Sequence, residues 1–279
     1  MMFNSKHGLK EYLYEFCPMQ SKPFSYLFYI QYLGLRYAGW QKQKNVKTVQ
    51  GTIERGIRYV LGHEDFTLLG ASRTDSGVSC EKGAFQLFLK SPLAAEGFLD
   101  KVNENLPADI RLMSFAQVPK TFNIIQDIAW KEYHYHMGFG QKFHPFAAGN
   151  LSYFPESPSL PLMQEGAKLF IGDHDFRRFC AMDKVTDNYR REIYFSEICP
   201  HPMAGTQYIP SNALVFKVRG NGFLRYQVRI MVSVMIHLGT GQLGISDITE
   251  ALQSQERSPL VPHAAANGLV LFDLKFNDL

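Results

Sequence analysis

Apolar and polar positions change period along this chain, and the changes fall at its turn residues. Tyr26-Leu27-Phe28-Tyr29-Ile30-Gln31-Tyr32 is a dense apolar run, which predicts a buried strand. From Thr48, a good N-cap, Val49, Ile53, Ile57 and Val60 recur at helical spacing. They predict an amphipathic helix ending near Gly62. Phe66–Gly70 and Ala84–Leu89 read as strands, Leu93–Asn105 as a helix and Ile110–Val118 as a strand. This first half therefore has the order β-α-β-β-α-β, which is ferredoxin-like.

Pro119 marks a boundary. Asp127–Phe139 alternates as a strand, with Tyr133 and Tyr135 on one face and His134 and His136 on the other. The proline-rich stretch Gln141–Pro161 reads as loop, Leu162–Phe170 as a helix and Gly172–Cys180 as a folded loop. Arg190–Cys199 and Ala213–Arg219 read as paired strands. Phe223–Leu238 is apolar on nearly every side and predicts a buried helix. Arg225, Arg229, Ser233 and His237 form its one polar stripe. Such a stripe either faces solvent or needs an anion, because an unpaired buried charge is costly. A helix over Ser246–Ser254 and a strand over Leu269–Phe276 follow. The second half repeats the element order of the first, without repeating its residues. Residues 1–24 read as an extension, in which Leu9, Tyr12, Leu13 and Phe16 predict a short helix ended by Pro23.

The chemistry concentrates in the loop Ala71-Ser72-Arg73-Thr74-Asp75-Ser76-Gly77-Val78, between two strands. Asp75 is its only carboxylate, and Arg73 is two residues away. A nearby guanidinium favours the ionised carboxyl, so the sequence predicts a lowered pKa and a carboxylate fit to act as nucleophile or base. The same residues are also ordinary turn chemistry. Arg229, on the predicted buried helix, is the partner this reading selects for Asp75. A second loop, residues 34–44, carries Arg36, Lys42 and Lys44 with Tyr37, Trp40 and Gln41. Cations contact phosphates and aromatics stack on bases; the plainer alternative is a solvated loop anchored by one tryptophan.

Composition narrows the classes. The chain has 279 residues, 46% of them hydrophobic, and a net charge of +3. That suffices for a large core and neither requires nor excludes nucleic acid. The aromatic share of 14% fits a sheet-rich core. Cys17, Cys80, Cys180 and Cys199 form no C-x-x-C pair, so reduced thiols in a cytoplasmic protein are the expectation. No metal is expected: His134 and His136 share a face but lack a third ligand nearby. Neither a membrane-length apolar run nor a signal peptide is expected, since Lys6, Lys10, Glu11 and Glu15 interrupt the N-terminus.

Six motifs occur in one order: Gly39-Trp40-Gln41-x-Gln43, Thr48-Val49-Gln50-Gly51-x-Ile53-Glu54, Ser72-Arg73-Thr74-Asp75-Ser76-Gly77-Val78, Lys131-x-Tyr133-x-Tyr135, Asp175-Phe176-x-x-Phe179 and Phe223-Leu224-x-x-x-Val228-Arg229. Together they resemble the tRNA pseudouridine synthase A family over roughly residues 26–276. The resemblance implies an α+β fold of two ferredoxin-like (RRM-like) halves, residues 25–118 and 119–279. Their antiparallel or mixed sheets would join side by side, with a catalytic cleft between them. It implies a cofactor-free isomerase, commonly a homodimer, acting on uridines of the tRNA anticodon stem-loop. Asp75 matches the catalytic aspartate, Tyr133 the tyrosine that stacks on the target base and Arg229 the arginine paired with the aspartate; Arg73 lies in the catalytic motif. Phosphate contacts are expected from Arg36, Lys42, Lys44 and Lys47. The chain departs from the family where Ser72, Ser76 and Ser79 replace Gly, Ala and His, and where Phe122-Asn123-Ile124-Ile125 replaces Phe-His-Ala-Arg. Two other readings stand beside this one: a non-catalytic RNA-binding protein on the same scaffold, and an unrelated hydrolase using Asp75.

Overall fold

The structure, a computed structural model, describes residues 21–181 and 188–277. The helix expected within residues 9–16 lies outside the described residues. The fold is mixed α+β around one large sheet. Strand β1 (Phe24–Tyr32) pairs antiparallel with both β3 (Ser79–Leu89) and β4 (Ile110–Gln117). Helix α1 (Val49–Leu61) starts where predicted: the Thr48 side chain accepts from the Gly51 amide, and Gly62 ends it in the left-handed region at φ +73°. Its Val49, Ile53 and Ile57 are fully buried. Strand β2 (Phe66–Gly70) pairs with β3.

Two predicted bounds shift here. Helix α2 spans only Phe98–Glu104, because Gly97 before it is left-handed at φ +66° and breaks the helical run. Strand β3 begins at Ser79, five residues earlier than its apolar pattern indicates. Its polar start is held by pairing, Tyr32 opposite Cys80 on one side and Val270 opposite Ser79 on the other.

In the second half β5 (Ile128–Phe139) matches its alternation. The stretch 141–161 is not all loop. It contains a short strand β6 (Ser152–Phe154), parallel to β5. Helix α3 (Leu160–Lys168) places Pro161 in its first turn, where the missing N–H has no intrahelical partner to lose. Residues 172–180 supply an edge strand β7 (Gly172–Asp175) rather than loop alone. It pairs with β8 (Arg190–Pro200), and β8 pairs with β9 (Leu214–Gly220). Helix α4 starts at Gln227 and ends at Gly239, later than predicted. The residues before it form a turn in which Tyr226 has φ +62°. Of its polar stripe, Arg229 and Ser233 are buried, His237 is half-buried and Arg225, before the helix, is exposed. Helix α5 (Ile245–Gln253) and strand β10 (Leu269–Phe276) follow.

The strand order is β4-β1-β3-β10-β5-β9-β8-β7, with β2 beside β3 and β6 beside β5. Strand β10 lies in the middle of this sheet and joins β3 to β5. It runs parallel to β3 through Val270–Ser79 and Leu271–Cys80, and antiparallel to β5. Tyr32, Cys80, Leu271 and Tyr133 are thereby aligned across the join on one sheet face. Among the described residues, no helix is long and apolar enough to cross a membrane.

Candidate active site

The loop carrying Asp75 is held from below by the segment 34–40. Trp40 N–H donates to the Thr74 carbonyl at 3.1 Å and Gly77 N–H to the Tyr37 carbonyl at 3.2 Å. The Ser76 hydroxyl also donates to the Tyr37 carbonyl, at 3.2 Å. The approach is close enough that a Cβ on Gly34 would lie 2.0 Å from the Val78 carbonyl oxygen, and one on Gly39 2.6 Å from that of Thr74. Gly77 turns the loop at φ +81°. The buried hydroxyls of Tyr32 and Thr74 are 2.8 Å apart beneath it. Ser79, which stands where the family has His, is buried, and its Oγ accepts from the Gly34 amide at 3.0 Å. The change therefore leaves the loop anchored.

Asp75 faces Arg229 of α4, 154 residues away in sequence, with Oδ2 3.4 Å from Nη1. The Arg229 side chain is 8% exposed and that of Asp75 25%. Contrary to the sequence expectation, the Asp75 carboxyl is raised above its ordinary value of 3.8, with burial the largest cause. Arg229, then Arg225, pull it back without cancelling that cost. The guanidinium facing the carboxylate is thus that of Arg229, and the Arg73 side chain is exposed. The remaining Arg229 edges are occupied: Nε donates to the Ala264 carbonyl at 2.7 Å and Nη2 lies 2.9 Å from His263 Nδ1.

Tyr133 projects from β5 into the same region. It is buried, and its ring meets Phe223 edge-on at 5.1 Å. Burial pushes its hydroxyl well above the ordinary phenol range, and the Asp75 charge adds to this. The ring therefore enters the site as a neutral phenol. Two residues earlier, Lys131 donates to the Ala71 carbonyl at 3.0 Å, tying β5 to the first residue of the Asp75 loop. Burial lowers its ammonium to about 8, and Arg191 contributes.

The basic loop reads differently in the structure. Trp40 is only 3% exposed, and a Cβ on Gly70 would lie 2.2 Å from its Nε1. The ring is a core anchor under the Asp75 loop, without a face for a base, which is the second of the two sequence readings; Gly70 leaves room for it and Phe85 lies beside it. Arg36 pairs with Asp109 at 2.5 Å and Lys42 with Glu54 at 2.6 Å. Gln41 and Lys44 are exposed, and the Lys47 ammonium lies 4.8 Å over the Tyr37 ring.

The departure at Phe122–Ile125 lies on the opposite sheet face. Gln86 alternates with Phe85, and its side chain accepts from the Ile124 amide at 3.2 Å and donates to the Phe122 carbonyl at 3.2 Å. Phe85 stacks on Phe28, on the face shared with Tyr32 and Tyr133. Ile124 is fully buried and Ile125 half exposed. The segment is therefore anchored to the sheet through Gln86, with Ile125 open to solvent.

A family model described as tRNA pseudouridine synthase matches residues 167–277. A tRNA pseudouridine synthase A of Streptococcus agalactiae serotype III (strain NEM316) is 32% identical over 250 residues, covering 89% of this chain and 94% of the relative. This chain belongs to the tRNA pseudouridine synthase A family. Two further synthases A give the same result. That of Thermodesulfovibrio yellowstonii is 33% identical over 87% of this chain and 95% of its own length, and that of Caldicellulosiruptor saccharolyticus 32% over 90% and 98%. Membership sets a frame for the geometry: a carboxylate, a guanidinium and an aromatic ring converge in a family whose named relatives are tRNA pseudouridine synthases. Sequence reasoning missed His263 and the Ala264 carbonyl, which lie in a short loop without periodicity or motif.

Proposed function

We propose that this protein isomerises uridine to pseudouridine in tRNA, at the anticodon stem-loop, with Asp75, Arg229 and Tyr133 as its central residues. The observation that carries the assignment is the contact of Asp75 with Arg229, contributed by distant parts of the chain, beside Tyr133. The reaction breaks C1′–N1, turns the uracil and joins C5 to C1′. It gains and loses no atoms except the exchanged C5 proton, so it calls for no redox partner. Asp75 attacks C1′ or removes the 2′ proton; either role needs its ionised form. The base must leave the stack, at a cost of a few kcal/mol. Stacking on an aromatic ring returns about 1–3 kcal/mol per base, and Tyr133 is the ring placed to supply it. Because that ring is buried, the uracil enters the cleft fully and is held there while it turns.

The architecture we assign is two ferredoxin-like halves, residues 25–118 and 119–279, with the cleft between them. Strand order supports it: β4-β1-β3-β2 in the first half is mirrored by β10-β5-β9-β8 in the second. Phosphate contacts are assigned to Lys44, Lys47 and the exposed Arg73, with Arg36, Lys42 and Gln41 at the rim. We further assign a cytoplasmic homodimer, for which the exposed Phe195 and Phe272 supply apolar surface; sedimentation equilibrium tests the dimer. The reaction itself is tested by tritium release from tRNA labelled at uridine C5. Wild type is expected to release it and Asp75→Asn to release none. RNA binding without release would support the non-catalytic reading instead, and free uracil a hydrolase.

A further inference from the structure

The guanidinium of Arg229 is held more tightly by a turn than by the carboxylate it serves. Its two short contacts, to the Ala264 carbonyl at 2.7 Å and to His263 Nδ1 at 2.9 Å, both come from the segment between α5 and β10. The contact with Asp75 is the longest, at 3.4 Å. The direction of Nη1 is therefore set by residues 263–264. That turn is itself fixed. The Ala264 amide donates to the Arg229 carbonyl at 3.1 Å, and the Tyr135 hydroxyl donates to the Ala265 carbonyl at 2.8 Å. Asn267 donates to the carbonyls of Ala148 and Leu151 at 2.8 and 2.9 Å. A Cβ on Gly77 would lie 3.3 Å from that of Ala266, so the Asp75 loop leans on the same turn.

His263 is exposed, so core packing does not account for its placement. Its ring lies 4.4 Å from that of Tyr226, and the Tyr226 ring also lies 5.0 Å below the Arg229 guanidinium. Arg229 Nη2 is a donor only, so Nδ1 must be the acceptor and carries no proton in this arrangement. We propose that His263 is a positioning residue: its Nδ1 holds Nη2 of Arg229, and so aims Nη1 at Asp75. This rests on the isomerase reading above.

Two variants separate the acceptor from the ring. His263→Phe keeps a ring against Tyr226 and removes the acceptor. His263→Asn removes the ring and places a carbonyl oxygen near the Nδ1 position. With C5-tritiated tRNA, His263→Phe is expected to lower kcat on the order of tenfold to a hundredfold with KM within about twofold, the loss of one hydrogen bond to a charged group. His263→Asn should recover most of kcat, and thermal midpoints should stay at the wild-type value. In an Arg229→Lys background, which lacks Nη2, His263→Phe should add little further loss. Wild-type kcat in His263→Phe, equal losses in the two variants, or a full extra loss in Arg229→Lys would each overturn the inference. An inactive wild type would instead overturn the isomerase reading, and this inference with it.

Discussion

Asp75 stands between two opposed effects. Burial raises its carboxyl, and Arg229 only partly counters this. The sign has consequences. A raised carboxyl stabilises the fold fully below its ordinary value of 3.8, and that contribution is lost as pH rises through the folded value. At neutral pH its ionised form is therefore a cost to stability. On the role proposed for Asp75, in which the ionised form acts, kcat/KM should rise with pH through an apparent pKa above the ordinary carboxylate value. Arg229→Gln removes the largest counter-charge, so its acid limb should move to higher pH while the maximal rate falls. A pH profile of tritium release checks both; an unmoved limb would mean that Arg229 does not act on Asp75 electrostatically. The pairing with Arg229 was one of two readings open in the sequence, since an arginine on a mostly apolar helix needs an anion only if it is buried. The direction of the shift was not legible there. It depends on how deeply the loop is buried, and the charges that act most on Asp75, Arg229 and Arg225, are distant from it in sequence.

At the scale of elements, the Asp75 loop depends on two glycines of the segment beneath it. Gly34 and Gly39 let segment 34–40 run directly beneath the Asp75 loop. Gly34→Ala would place a Cβ 2.0 Å from a backbone oxygen, which a side-chain rotation cannot relieve. It should destabilise by about 3 kcal/mol or more, and the surviving fold should bind tRNA with strongly reduced turnover. Chemical denaturation with parallel tritium release measures both. Element types were readable where periodicity was strong, as for α1, with its Thr48 and Gly62 caps, and for β5. They were misread where tertiary pairing overrides local pattern. The polar start of β3 is a strand because β1 and β10 flank it, and β6 exists because β5 offers an edge. Trp40 was open to two readings from its cationic neighbours, base stacking or anchoring, and Gly70 opens the space that makes it an anchor.

Across the whole molecule, charge is distributed unevenly in its availability. Arg36, Lys42, Arg177 and Arg190 each have a carboxylate partner, which lowers the net charge they present to RNA. Neutralising Lys44 and Lys47 together should therefore weaken tRNA binding more than neutralising Arg36 and Lys42. It should also reduce the slope of log affinity against log salt by about 0.7–0.9 for each phosphate that is no longer neutralised. Filter binding across a salt series distinguishes the pairs; slopes unchanged from wild type in both double variants would remove loop 34–47 from the RNA surface.

Strand β10 also imposes an order on biosynthesis. Ser79 leaves the ribosome long before Val270, the residue that pairs with it. Until β10 emerges, the nascent chain has the Asp75 loop and Tyr133 but no strand to bring them into register, and no turn 263–264 to hold Arg229. Domains generally fold as they are synthesised, but this centre is assembled by a strand that follows its other parts in sequence. A growing chain can therefore carry Asp75, Tyr133 and Arg229 before they are brought together, and a tRNA that meets it on the ribosome meets an incomplete site.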